Sequence, residues 1–274
     1  MKKVTYSNAG FVTNPVINGY EVTFAGAGPG VYSGDVPTLV FSDGANHTLT
    51  SIIETGHSAQ ALSYGVAEFG YPLAGNATIT YGIHLSYGNL AIGSANGGTW
   101  TINGVSTITN DSVLNAWGGR NWAGPFVLNG HMTVSHGSTA DFLTAPVQGR
   151  GMIDIESGGT VTADRIAAGL HIYVGCDGKL VTGTVFKMAF LGTIHETASG
   201  VVEVPNAKTV TSELFDRSTG VLDLLDKSGA VVDRLKFSGA HMLYTTPDGH
   251  GGMDITTAHH AGSLPVFFAH HGLI

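Results

Sequence analysis

Three groups of residues in this 274-residue chain have types and spacings that could do chemistry. The stretch "WGGRNWAG", residues 117–124, holds two of the chain's three tryptophans and one of its five arginines. An indole stacks on the apolar face of a pyranose, while arginine or asparagine bonds the hydroxyls. Trp117, Arg120, Asn121 and Trp122 therefore form a candidate glycan platform, with Trp100 near the equivalent place one repeat earlier. The competing use of such tryptophans is to plug the interior or to seal an inserted loop.

The second group is acidic. Asp154 and Glu156 stand two apart on an expected strand, hence on one face of it, and Asp141 or Asp164 could face them from neighbouring repeats. A glycosidase needs two carboxyls flanking one bond. A β-eliminating lyase would instead use an arginine or lysine base, and Arg120, Arg150 and Arg165 are the arginines within the repeats. The candidate catalytic set is Arg120, Asp141, Asp154 and Glu156; the plainer reading is that these charges only solvate strands.

Histidine makes the third group, because His241, His250, His259, His260, His270 and His271 all fall in the tail. "GHGGMD", residues 249–254, approaches the Gly-rich, Asp-ended repeat that binds calcium in secreted β-rolls. That makes Asp248, His250 and Asp254 candidate calcium ligands, although only one imperfect copy exists and such sites share ligands between tandem copies. No other cofactor is expected. Phosphate loops, G-x-S-x-G, H-E-x-x-H and C-x-x-C are all missing, so the chain leans away from catalysis.

Composition narrows the classes further. The net charge is −8 and no basic run extends beyond Lys2-Lys3, so nucleic acid is not an expected partner. Charged residues make up 12%, against roughly 25% in an ordinary domain, and glycine occupies 40 positions. The single Cys176 leaves no internal disulfide and no cysteine zinc cage, a usage that fits an exported surface protein. The start of the sequence lacks the continuous apolar stretch of a signal peptide, so export is expected through another signal or route. No apolar run approaches the roughly 18 residues that would suggest a membrane span.

The elements that must position these groups repeat. Glycines recur at Gly56, Gly75, Gly97, Gly118, Gly137, Gly158, Gly178, Gly200 and Gly220, about 20 residues apart. Several sit between short stretches of alternating apolar residues: Met132 and Val134 before Ala140 and Phe142, Ile153 and Ile155 before Val161 and Ala163, Ile172 and Val174 before Leu180. Period-two alternation marks strands with one buried face. Strand, glycine corner, strand and looser connection, repeated, predict an all-β protein. Its fold is a single-stranded right-handed parallel β-helix, a solenoid of about 20 residues per coil with terminal caps; a β-sandwich is the alternative.

Helical spacing is confined to "DSVLNAW", residues 111–117, and "NAKTVTSELFDR", residues 206–217, the latter as a capping helix. Residues 1–45 read as an N-terminal cap or irregular first coils, and 46–217 as the solenoid. Residues 218–274 read as a C-terminal cap with a hairpin, "GVLDLLD" and "AVVDRLKF", and a His-rich tail.

The Gly-punctuated strands, the low charge and the scarcity of cysteine resemble the β-helical passenger regions of bacterial autotransporters and filamentous-haemagglutinin-type adhesins. The segment "FSGAHMLYTTPDGHGGMDI", residues 237–255, is similar to a module of large secreted proteobacterial surface proteins. The resemblance implies an extracellular, non-catalytic or carbohydrate-related role and carries no catalytic residues across. The expected function is a secreted or cell-surface adhesin, carbohydrate-binding or structural module. It would meet a polysaccharide or cell-surface glycan through its Thr, Ser and Asn faces and the 117–122 loop. The alternatives are a polysaccharide lyase or glycosidase beside that loop, and a stalk that self-associates.

Overall fold

A computed structural model describes residues 2–7, 11–13, 20–25, 38–41, 46–55, 76–87, 89–94, 99–117, 125–142, 145–175, 177–182, 190–196, 200–240, 242–258 and 264–268. The protein is an all-β solenoid of stacked parallel strands, with about four regular turns of about 22 residues each. Parallel pairing between successive turns rules out the sandwich. A sandwich would pair its strands antiparallel through short hairpins.

Two long sheets run the length of the stack. In the first, Val105–Thr109, His131–Val134, Met152–Ile155, His171–Val174 and Thr193–Glu196 follow one another in register. In the second the order is Val113–Trp117, Thr139–Asp141, Thr160–Thr162, Lys179–Val181 and Val201–Val204. The alternation seen in the sequence is the reason for this register. Slipping a strand by one residue would turn its isoleucines to water and its threonines inward. Met132, Ile153, Ile172 and Ile194 stack along one inner row, and Leu114, Ala140, Val161, Leu180 and Val202 along the facing one, all of them buried.

Each regular turn has a third side that the alternation does not reveal. Trp100–Ile102, Phe126–Leu128 and Val147–Gly149 pair in parallel, and single bridges continue the row to Ile166 and Phe190. These strands are three residues long, and the alternation of Trp100 with Ile102 and of Phe126 with Leu128 marks a strand without showing that it forms a separate side. Where this side meets the first sheet the chain bends at Gly104, Gly130 and Gly151. A side chain at Gly130 would collide with the Gly104 carbonyl, so the bend admits only glycine there. Between the two long sheets, His136 and Gly137 (φ 53° and 74°), then Ser157 and Gly158 (φ 50° and 76°), turn the corner with two successive left-handed residues. Glycine is favoured at the second of each pair for that reason.

Both expected helices are strands instead. At 111–117, Asp111 and the preceding Asn110 take left-handed corner conformations and Val113–Trp117 joins the second sheet, burying Leu114. Within 206–217 only Ala207–Thr209 is helical, as a single 3-10 turn whose Asn206 gives no side-chain cap. Ser212–Asp216 then pairs antiparallel with Val221–Leu225 and buries Phe215. Sheet pairing and burial override weak local helix preference.

At the C-terminal end parallel stacking gives way to antiparallel pairing. Val221–Leu225 and Val231–Phe237 form a hairpin, whose last residues Lys236 and Phe237 lie on Thr193 and Ile194 of the first sheet. Met253–Thr256 runs antiparallel along Val201–Val204 and covers the second sheet. At the other end, Lys2–Ser7, Tyr20–Ala25 and Asn46–Thr55 continue the first sheet in parallel, so the earliest described residues already belong to the stack. Among the described residues no helix is long and apolar enough to cross a membrane.

Candidate functional site on the outer face of the first sheet

Residues that alternate with the buried isoleucines point outward, and register aligns them into rows. One row runs His84, Thr107, Thr133, Asp154, Tyr173 and His195, one residue from each successive turn. Beside it runs Val105, His131, Met152, His171 and Thr193. Neighbouring strands lie about 4.8 Å apart, so the longer row extends about 24 Å.

Contacts within the rows hold these side chains in place. His84 Nδ1 and Thr107 Oγ1 are 3.0 Å apart, and His131 Nε2 lies 2.8 Å from Asp154 Oδ2 across one step of the sheet. His171 Nδ1 is 2.9 Å from His195 Nε2, and Tyr173 stacks on the His195 ring with centroids 4.3 Å apart and planes 10° from parallel. Burial, and then the neighbouring His171, lower the pKa of His195 and favour its neutral form. At the corner edge of the same face, Thr109 Oγ1 and Ser135 Oγ both lie within hydrogen-bond distance of His136 Nδ1 (3.1 and 2.9 Å). The result is a long, shallow face of imidazole, phenol, hydroxyl and one carboxylate, with Tyr173 well exposed.

Behind the far end of this face lies a partly buried acid. Glu196 takes the inner position held in earlier turns by Ile108, Val134, Ile155 and Val174. Its Oε1 accepts the Thr257 N–H at 3.1 Å, and its Oε2 is sealed from water without a hydrogen-bond partner. Burial pushes its pKa up to about 9, against a smaller opposing effect from the Thr257 N–H, so the carboxyl is protonated at neutral pH.

The residues singled out in the sequence are scattered. Trp100 is buried among the core side chains at 3% exposure and cannot present its indole face to a glycan. It sits on the third side of the turn, whereas Trp117 closes a strand of the second sheet with its backbone opposite Gly93. They are therefore not equivalent positions in successive coils. Arg120, Asn121 and Trp122 lie outside the described residues.

Asp154 is on the first sheet's outer face, paired with His131 rather than with a second carboxylate; Glu156 follows that strand, exposed, at the corner. Asp141 belongs to the second sheet, Asp164 is buried, and Arg150 is exposed beside the glycine bend. Asp154 and Asp141 therefore stand on different sheets. In the tail, Asp248 Oδ1 accepts the His250 and Gly252 N–H groups at 2.7 and 2.8 Å, which hold its pKa down. Asp254 is on a strand opposite Glu203 and near Lys179. Among the described residues no group of three or more His, Cys, Asp or Glu side chains is gathered for a metal.

Rare residues at corners do not reveal the outer rows. The signal that finds them is the polar half of the same alternation: once Ile153 and Ile172 are inward, Asp154 and Tyr173 must point out together. No protein-family model matches the chain, and neither a curated protein nor a solved structure matches it.

Proposed function

We propose that this chain is a secreted or cell-surface binding solenoid, an adhesin-like or structural module that lays an extended glycan along the outer face of its first sheet. The observation that carries this reading is the straight row from His84 to His195, six side chains from six consecutive strands. Such a row offers a polymer a polar or aromatic contact at every step. Tyr173 supplies an exposed ring for stacking on a sugar, and its packing on His195 orients it beforehand, which lowers the ordering cost of binding. The hydroxyls of Thr107 and Thr133 and the His131–Asp154 pair supply donors and acceptors for sugar hydroxyls. The solenoid is also the scaffold implied by the resemblance to β-helical surface proteins, and low charge with near absence of cysteine supports an extracellular setting.

A glycan array followed by calorimetry on the best glycan tests this reading. Tyr173→Ala should weaken binding by about two- to tenfold, the range expected from about 0.5–1.5 kcal/mol of aromatic contact. His131→Ala should also weaken it, and Thr160→Ala on the second sheet should leave it unchanged. A glycan affinity indifferent to both first-sheet substitutions would exclude this face.

A further inference from the structure

We propose that His171 and His195 form a two-imidazole binding site for a late first-row transition-metal ion, Cu2+ or Zn2+. The two rings come from consecutive strands and adjacent rows, and their facing nitrogens, Nδ1 of His171 and Nε2 of His195, are 2.9 Å apart. Metal–imidazole bonds of about 2.0–2.1 Å place two nitrogens on one tetrahedral ion about 3.4 Å apart. The rings therefore need to open by only about half an ångström to admit an ion between them.

In the metal-free pair one nitrogen donates to the other, with ring centroids 5.2 Å apart. On binding, the donor ring shifts to its other tautomer, so that both facing nitrogens offer lone pairs and no net proton is released. The parallel stack of Tyr173 fixes the plane of His195, as an outer partner does for a ligand ring.

The surroundings favour this use. His171 is exposed and His195 half-buried, so an ion enters directly from solvent. His195 is held toward its neutral, ligating form. Met152, the partner of His171 in register on the same outer face, brings a thioether to the neighbourhood. Imidazole and thioether suit copper, and Cu2+ stands above Zn2+ in the usual affinity order. Water completes the coordination. This site shares His195 with the glycan row but does not rest on the glycan reading, since its test reads metal affinity alone.

The test uses the full chain with His241, His250, His259, His260, His270 and His271 all replaced by alanine, which removes the imidazoles of the tail. Cu2+ is titrated by calorimetry and the bound ion is examined by electron paramagnetic resonance. One tight Cu2+ is expected, with hyperfine structure from two nitrogens. His171→Ala and His195→Ala should each weaken binding at least about tenfold, since even outer-shell changes reach that size, and each should reduce the pattern to one nitrogen. His131→Ala should change neither reading. Circular dichroism and thermal melting verify that each variant stays folded, which is expected of outward-facing substitutions. Absence of a tight Cu2+ in the background protein, or an unchanged affinity and nitrogen pattern in His171→Ala, would overturn the proposal.

Discussion

The first and second sheets obey one rule, apolar residues in and polar residues out, yet they differ on both surfaces. Outside, the second sheet carries Val113, Thr139, Thr160, Lys179 and Val201 in one row, threonine and valine interrupted by a single ion pair, Lys179 to Glu203 at 2.8 Å. The matching surface of the first sheet carries an imidazole–carboxylate pair, His131 with Asp154, and a group of two imidazoles and a phenol, His171, His195 and Tyr173.

Inside, the second sheet's row Leu114, Ala140, Val161, Leu180 and Val202 stays apolar to its last turn, where Val202 meets Ile255 of the covering strand. Small buried hydroxyls, those of Ser112, Ser138 and Thr182, lie beside it. The first sheet's inner row ends instead in Glu196. Its cover, Lys236 and Phe237, pairs only with Thr193 and Ile194 and stops short of that position. An inner row requires a hydrophobe only as far as the next strand actually covers it. Beyond that, a carboxyl is accepted if it stays protonated and finds one donor, here the Thr257 N–H.

Four measurements test this contrast, from the largest effect to the smallest. Ile155→Ala, inside the first sheet, should lower unfolding free energy by about 2–5 kcal/mol in denaturant melts, whereas Thr133→Ala on the outside of the preceding strand should stay within about 0.5 kcal/mol. Equal losses would mean that inside and outside are wrongly assigned.

The second concerns Glu196, whose folded pKa of about 9 lies far above its unfolded value near 4.3. Folding is therefore favoured below the unfolded pKa, and stability falls as pH rises toward 9, by up to about 1.4 kcal/mol per unit. Glu196→Gln should flatten that slope while Val202→Thr, at the end of the other inner row, should not; an unchanged slope would show that this carboxyl is not the titrating group.

In third place, grafting Tyr at Thr160 should fail to restore glycan binding to the Tyr173→Ala variant, because the second sheet lacks the imidazole beneath the ring. Recovery of binding there would erase the distinction between the two faces. The smallest effect belongs to Lys179→Met, which removes a half-exposed ion pair and should cost less than about 1 kcal/mol, vanishing in high salt.

Much of the scaffold was legible. Met132 with Val134, Ile153 with Ile155 and Ile172 with Val174 declared strands by period two, and Gly137 and Gly158 declared the corners between them. The third side of each turn was not, because the alternation of Phe126 with Leu128 shows a strand but not which sheet it joins, and that depends on stacking. Trp100 pointed to a surface platform by its rarity, but a solenoid interior also needs large side chains to fill it, and burial decided its place. The outer rows were implicit in the alternation and needed the register to align them, since residues 23 or 24 apart become neighbours only when the coils stack. Glu196 was beyond any such reading. Its tolerance depends on where a strand some forty residues later stops.

The parallel register has one consequence that concerns evolution rather than chemistry. Because each turn adds one residue to every row, duplicating or deleting a whole turn lengthens or shortens the polar face by about 4.8 Å and leaves the interior matched. The fold is in this sense a ruler with removable divisions. Its reach can change in whole steps, while a change of a single residue within a strand throws the remaining turns out of phase.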